Sequence, residues 1–130
     1  VRDWLYVGDH ARALDLILAK GKPGEIYNVG GNHSCPNREL IAAVRKFMDV
    51  PPTLVKRVAD RPGHDRRYAL NCDKLRRLGF RHELAFPQAL KRTIEWYRAN
   101  EAWWRPLKQQ GGYKTYYQRQ YGARTAPAKI

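Results

Sequence analysis

The sequence predicts an α/β chain of short strands separated by helices. Three observations carry that expectation. Apolar residues recur at helical spacing around 14–18, 40–48 and 90–97. Between them lie short β-prone runs at 25–29, 53–58 and 67–70, bounded by glycine, proline and asparagine. A 43% hydrophobic content over 130 residues supplies one small core, so the chain is one domain or one piece of a larger one.

The elements follow in order. Residues 1–7 read as a strand or strand edge that starts with no polar lead-in, which is expected of a fragment. Asp9 is placed to cap a helix over 11–20, with Leu14, Ile17 and Leu18 on its apolar face. Gly21 stops it, and Lys22-Pro23-Gly24 turns the chain into a strand over 25–29, ended by Gly30-Gly31. Asn37 is placed to cap a second helix with Leu40, Ile41, Val44, Phe47 and Met48 as its stripe. Pro51-Pro52 breaks that helix, and 53–58 reads as a strand. After a turn at 61–65 and a strand-like run at 67–70, Asn71 is placed to cap a short helix through Lys74, Leu75 and Leu78, closed by Gly79. Phe86-Pro87 opens a longer helix to about 103, with Leu90, Ile94 and Tyr97 in register and Pro87 near its first position. Residues 1–104 are thus the expected folded region. Residues 105–130 form a basic tail rich in tyrosine and glutamine, expected to be irregular or short-helical and partly disordered, above all from Thr125 on. The whole looks like half of an α/β protein, with an edge left open for a partner.

The formal charge is +13. The excess is concentrated between Lys56 and Arg77 and after Glu101, where no acid follows. Such a field attracts phosphate esters, nucleic acid or acidic lipid, although a charge run is first of all a solvated face. No apolar run reaches the ~18–20 residues of a membrane span, so no membrane partner is expected. Cys35 and Cys72 are too few for a disulfide framework and lack metal-ligand spacing, which makes a reducing cytoplasm the expected compartment.

Complete catalytic sets are missing. Gly21-Lys22-Pro23-Gly24 has Tyr27 where a phosphate loop needs its third glycine, and no strand leads into it. No Walker sequence and no Tyr-x-x-x-Lys pair occurs. His10, His33, His64 and His82 form no metal pattern. What remains is phosphate-binding chemistry at element ends: Arg2, Asn37, Arg61 and His64. Arginine offers a planar fork of donors, asparagine both donors and an acceptor, and His64 follows a Pro-Gly turn where backbone can approach a ligand. Each also has a plainer reading. Arg2 could pair with Asp3, Asp9 or Asp15, Asn37 could be only a cap, Arg61 a surface ion-pair partner, and His64 a loop residue bonded to backbone.

Several longer strings carry a resemblance. Arg2-Asp3-Trp4-Leu5-Tyr6-Val7 followed by Asp9-His10, Gly24-Glu25-Ile26-Tyr27-Asn28-Val29-Gly30-Gly31 with Asn32 and Asn37, and Asp60-Arg61-Pro62-Gly63-His64-Asp65-Arg66-Arg67-Tyr68-Ala69 are similar to segments of dTDP-glucose 4,6-dehydratases. Thr93-Ile94-Glu95-Trp96-Tyr97, Trp103-Trp104-Arg105-Pro106-Leu107 and the stretch from Gly112-Tyr113 to Gln120-Tyr121 resemble that family's closing helix and tail. The stretch from Arg61 to Ala69 is the most specific. Departures are Gly8 in place of glutamate, Asn71-Cys72-Asp73-Lys74 in place of Asp-Ala-Ser-Lys, a segment one residue short at 75–80, and Phe80 in place of tryptophan.

The resemblance implies the C-terminal substrate-binding part of an extended short-chain dehydrogenase/reductase. That family converts dTDP-glucose to dTDP-4-keto-6-deoxyglucose and water, toward deoxysugars such as rhamnose, with NAD held by an N-terminal Rossmann domain that would precede Val1. It implies that catalytic and NAD-binding residues lie outside this chain, that the chain alone is inactive, and that the whole enzyme is a homodimer. It carries substrate contacts onto Arg2, Asn37, Arg61 and His64, with Arg2 and Arg61 at the diphosphate and His64 toward the nucleoside end. Roles for Tyr113, Tyr116 and Tyr117 stay open. A related nucleotide-sugar epimerase or dehydratase is the alternative. A basic module stacking nucleic acid on tail tyrosines is the less favoured one.

Overall fold

Arg2–Asp3 (β1) and Ser34–Cys35 (β2) form a two-stranded antiparallel ribbon, with Arg2 opposite Cys35 and Asp3 opposite Ser34. The computed structural model that shows this describes residues 1–58, 60 and 63–122. Everything else regular in it is helical: Val7–Lys20 (α1), Asn37–Met48 (α2), a single 3₁₀ turn at Pro52–Leu54, Asp73–Arg77 (α3), Phe86–Ala99 (α4), Glu101–Gln109 (α5) and Gly111–Tyr121 (α6).

The ribbon is tied by the Asp3 carboxylate. Its Oδ2 accepts from Gly31 N–H at 3.1 Å and its Oδ1 from His33 N–H at 3.0 Å. Trp4 N–H donates to the His33 carbonyl and Trp4 Nε1–H to the Cys35 carbonyl. One half-buried acid thus ties β1 to the segment that leads into β2.

The core is built on α3. Gly79, at φ +105°, follows the last helical turn. Its N–H bonds the Arg76 carbonyl and Phe80 N–H bonds that of Leu75, which is the double closure of a Schellman motif. That closure folds Phe80 back onto Leu75. Leu75, Phe80 and Ala13 of α1 are buried together, with Leu16, Ile17 and Val29 packed around them. Leu75 has no exposed surface. Leu75→Ala is expected to destabilise the chain by about 2–5 kcal/mol, since the apolar contacts are lost and a cavity remains; urea unfolding followed by circular dichroism checks it.

Asp9 does not cap α1. The helix starts two residues earlier, behind an extended Tyr6, and Asp9 sits in its first turn, 1% exposed. Its Oδ1 accepts from Arg12 Nη1–H at 2.8 Å and from Glu83 N–H at 3.0 Å, so it latches α1 to the loop before α4. The burying face of α1 is therefore Asp9, Ala13, Leu16 and Ile17. Leu14 and Leu18, expected inside, are 48% and 87% exposed. With Val7 they leave a second apolar face of α1 exposed, and Ile26 beyond the helix is exposed as well.

Asn37 is likewise the first residue of α2 rather than its cap, which is Pro36. Residues 25–29 form no strand. Lys74 holds them by an ion pair to Glu25, a bond to the Ile26 carbonyl at 2.8 Å and a cation–π contact over Tyr27. Asn28 Nδ2–H donates to Asn71 O. The Lys74 side chain of α3 and the backbone carbonyl of Asn71 ahead of that helix do what a neighbouring strand would otherwise do. Residues 53–58 give only the 3₁₀ turn and irregular chain. The 67–70 run is not a strand either, but it touches Val1 on both sides: the Val1 amine donates to Arg66 O at 2.7 Å, and Tyr68 N–H to Val1 O at 3.1 Å. This is the bonding pattern of a parallel bridge.

Helices α2 and α4 pack together, and Arg98 of α4 donates to the last helical carbonyl of α2, at Met48. The helix expected to run from Phe86 to about 103 breaks at Asn100, whose side-chain Nδ2–H and backbone N–H both bond the Trp96 carbonyl. An asparagine competing for backbone groups ends a helix in this way. The tail continues as α5 and α6, more regular than expected. Tyr113, Tyr117 and Tyr121 follow each other along α6 with ring centroids 6.1 and 5.0 Å apart. The end of the tail from 123 lies outside the described residues.

Candidate functional site

Arg2 is delivered by β1 to the 60–68 segment. Its Nη1 donates to the Val1 carbonyl at 2.8 Å and to the Asp65 carbonyl at 3.1 Å. Its Nη2 lies 2.6 Å from Nε2 of His64, a residue 62 positions away. The guanidinium lies over the Tyr68 ring, 4.3 Å from its centroid. Tyr68 O–H donates to the Asp65 carboxylate, which fixes the platform under the arginine. On the far side of the imidazole, His64 Nδ1 is 2.6 Å from Asp60 Oδ1.

A planar cation is thus stacked on one face and bonded along one edge. Arg2 Nε–H and one Nη2–H have no partner among the described residues. Planar donors held at fixed positions suit phosphate oxygens better than a flexible ammonium does.

The predicted site residues divide as follows. Arg2 and His64 are in direct contact. Asn37 begins α2, two residues after Cys35, the partner of Arg2 across the ribbon, and its side chain is exposed. Arg61 lies outside the described residues, although Asp60 before it and Gly63 after it flank the site. Asp60, Asp65 and Tyr68 were not picked out from sequence. The signal was present as Asp60-x-x-x-His64 around a Pro-Gly turn and as Asp65-x-x-Tyr68, but local spacing does not show that both pairs meet Arg2.

Other openings are apolar. A cavity of about 250 Å³ between α2 and α4 is lined by Trp4, Leu40, Val44, Phe86 and Leu90, and Asp9, His82 and Thr93 among its polar residues already bond within the protein. Gly30 and Gly31 offer no cradle for a pyrophosphate. A side-chain carbon at Gly30 would meet Asp3 and Cys72, and one at Gly31 would overlap the Trp4 carbonyl. Among the described residues no group of His, Cys, Asp and Glu can hold a metal ion, and no helix is long and apolar enough to cross a membrane.

Residues 1–93, which include the Arg2–His64 contact, match the family model for GDP-mannose 4,6 dehydratase. The chain belongs to the GDP-mannose 4,6-dehydratase family. Within this dehydratase family it is similar to a dTDP-glucose 4,6-dehydratase of Streptomyces antibioticus, 48% identical over 83% of this chain and 32% of the relative. It is 42% identical to a dTDP-glucose 4,6-dehydratase of Escherichia coli over 95% of this chain and 36% of the relative. The crystal structure of DesIV, a dTDP-glucose 4,6-dehydratase from Streptomyces venezuelae with NAD bound, matches with a TM-score of 0.76 at 44% identity, covering 82% of this chain and 33% of that one. The chain therefore spans about a third of the length of these dehydratase relatives. Its fold is the expected one, a part of the extended short-chain dehydrogenase/reductase fold, although the part seen here is mostly helical.

Proposed function

We propose that the chain is the nucleotide-sugar-binding C-terminal portion of a dTDP-glucose 4,6-dehydratase, the lyase that turns dTDP-glucose into dTDP-4-keto-6-deoxyglucose and water. The observation that carries this is the contact between Arg2 and His64 on the Tyr68–Asp65 platform. Arg2 and Arg61 take the diphosphate, His64 borders it toward the nucleoside, and Asn37 adds a donor from the start of α2. Arg61 and Asn37 enter on their motif positions.

A nucleoside diphosphate sugar carries negative charges far from its reacting carbons. Binding energy collected there orients the hexose and lowers the entropic cost of chemistry performed elsewhere. This segment anchors the substrate. The residues present do not fit NAD, because the paired glycines are packed against protein, so NAD binding and the proton and hydride steps are assigned to the remainder of the enzyme. The exposed α1 face of Val7, Leu14 and Leu18 supports docking of that remainder. So does a groove of about 660 Å³ lined by Leu5, Tyr6, Val7, Trp96 and Tyr97. A helix apolar on two faces is covered on both. The whole enzyme is proposed to be a cytoplasmic homodimer.

Calorimetric titration tests this reading. dTDP is expected to bind the folded chain saturably at fixed salt and to be displaced by dTDP-glucose more readily than by UDP- or GDP-sugars. No turnover is expected until the Rossmann portion of a relative is supplied. Absence of saturable binding under both conditions, or robust turnover by this chain alone, overturns the proposal.

A further inference from the structure

Arginine has only donors. The 2.6 Å approach of Arg2 Nη2 to His64 Nε2 is therefore a hydrogen bond only if Nε2 presents its lone pair. In a neutral imidazole the proton then sits on Nδ1, and Nδ1 lies 2.6 Å from Asp60 Oδ1, an acceptor. Both contacts are satisfied by one tautomer of His64 and by no other state of the ring. The opposite tautomer, or the doubly protonated ring, sets a hydrogen on Nε2 against the hydrogens of Arg2.

We infer that Asp60 is a positioning residue of the diphosphate site, acting through the tautomer of His64 on the orientation of Arg2. This deepens the reading of Arg2 and His64 as substrate-binding groups and rests on it. The Asp60 carboxylate holds the proton on His64 Nδ1. The Nε2 lone pair then takes one hydrogen of Arg2 Nη2. The Val1 and Asp65 carbonyls take those of Nη1, and the Tyr68 ring supports the guanidinium plane. With one edge and one face fixed, Nε–H and the last Nη2–H are the donors left for phosphate oxygens, already oriented before the ligand arrives. Preorganisation of this kind raises affinity by reducing the rotamer freedom lost on binding. Asp60 itself is exposed, 78% at the side chain, against 28% for His64. Its place in the argument is to fix a proton, so any acceptor of the same reach should serve.

That requirement separates a positioning role from a merely structural or electrostatic one. Long-range proton–nitrogen correlation spectra of the ¹⁵N-labelled full chain report the tautomer of His64 without any ligand. Amide spectra of each variant check that it is folded. The wild-type chain is expected to show the Nδ1–H form. Asp60→Leu, which removes the acceptor, is expected to shift His64 toward the Nε2–H form and to weaken dTDP binding by about tenfold, as for a lost charge-assisted hydrogen bond. Asp60→Asn, which keeps an acceptor oxygen, is expected to retain both the tautomer and most of the affinity. An Nε2–H form in the wild type overturns the inference. So does an Asp60→Leu chain that keeps the Nδ1–H form, or one that binds dTDP like wild type. A tautomer shift in Asp60→Leu with no dTDP binding by any chain supports the hold of Asp60 on His64 and overturns the site reading beneath it.

Discussion

Arg2→Ala is expected to weaken dTDP binding by about 30- to 150-fold, the equivalent of about 2–3 kcal/mol from bonds to a charged group. The side chain gathers contacts from three places: the Val1 carbonyl beside it, the Asp65 carbonyl and His64 across the turn, and the face of Tyr68. Those contacts hold the guanidinium still, and they leave Nε–H and one Nη2–H without a partner among the described residues. Arg2→Lys is expected to recover little of the affinity. A single ammonium cannot reach two carbonyls and an imidazole while lying flat on a ring. Calorimetry on folded variants measures the loss, with circular dichroism to show that the helices persist. Equal dTDP affinity for the wild-type and alanine chains would remove Arg2 from the site.

The second large effect is expected at Gly31. A methyl group there runs into the backbone carbonyl of Trp4, and backbone cannot swing away as a side-chain end can. Gly31→Ala must therefore push β1 off the 30–33 segment and break the bonds from Gly31 and His33 to Asp3. A destabilisation of about 3–5 kcal/mol is expected, in the range of substitutions that disrupt a bonded network, and the proposed dTDP site should fail with it because Arg2 rides on β1. Gly24→Ala is the contrast. Gly24 has φ +78° but open space around its Cβ position, so only the left-handed backbone penalty of about 1–2 kcal/mol applies, and dTDP binding should be unchanged. Urea unfolding of the two variants beside dTDP titration distinguishes them; equal destabilisation would show that close approach at Gly31 is not what holds the ribbon.

The helices were legible because their signals are local. The α3 stop at Gly79 and the α4 start at Phe86-Pro87 depend on residues within one turn of each other, and both stand where the sequence places them. Which face of α1 is buried was not legible. Leu14 and Leu18 look like core by spacing, but the seat beside α1 is filled by Leu75 and Phe80, and those select Ala13 and Ile17 instead. Asp9 reads as a cap by position, and only the Glu83 N–H, 74 residues on, draws it inward. The strands that composition suggests at 25–29, 53–58 and 67–70 do not form, because a strand is defined by a partner, and propensity does not supply one.

The sequence by itself determined the kinds of groups available: arginine, histidine and asparagine at element ends, an excess of positive charge, glycines at tight places, and motifs that point to nucleotide-sugar dehydratases. Only the tertiary structure decided that Arg2 and His64 meet, that Asp60 and Tyr68 stand behind them, and that Asn37 is the first residue of α2 rather than its cap. The physical reason is range. Turn chemistry and helical period act over a few residues, whereas a hydrogen bond 2.6 Å long between positions 2 and 64 exists only after the chain has folded back on itself.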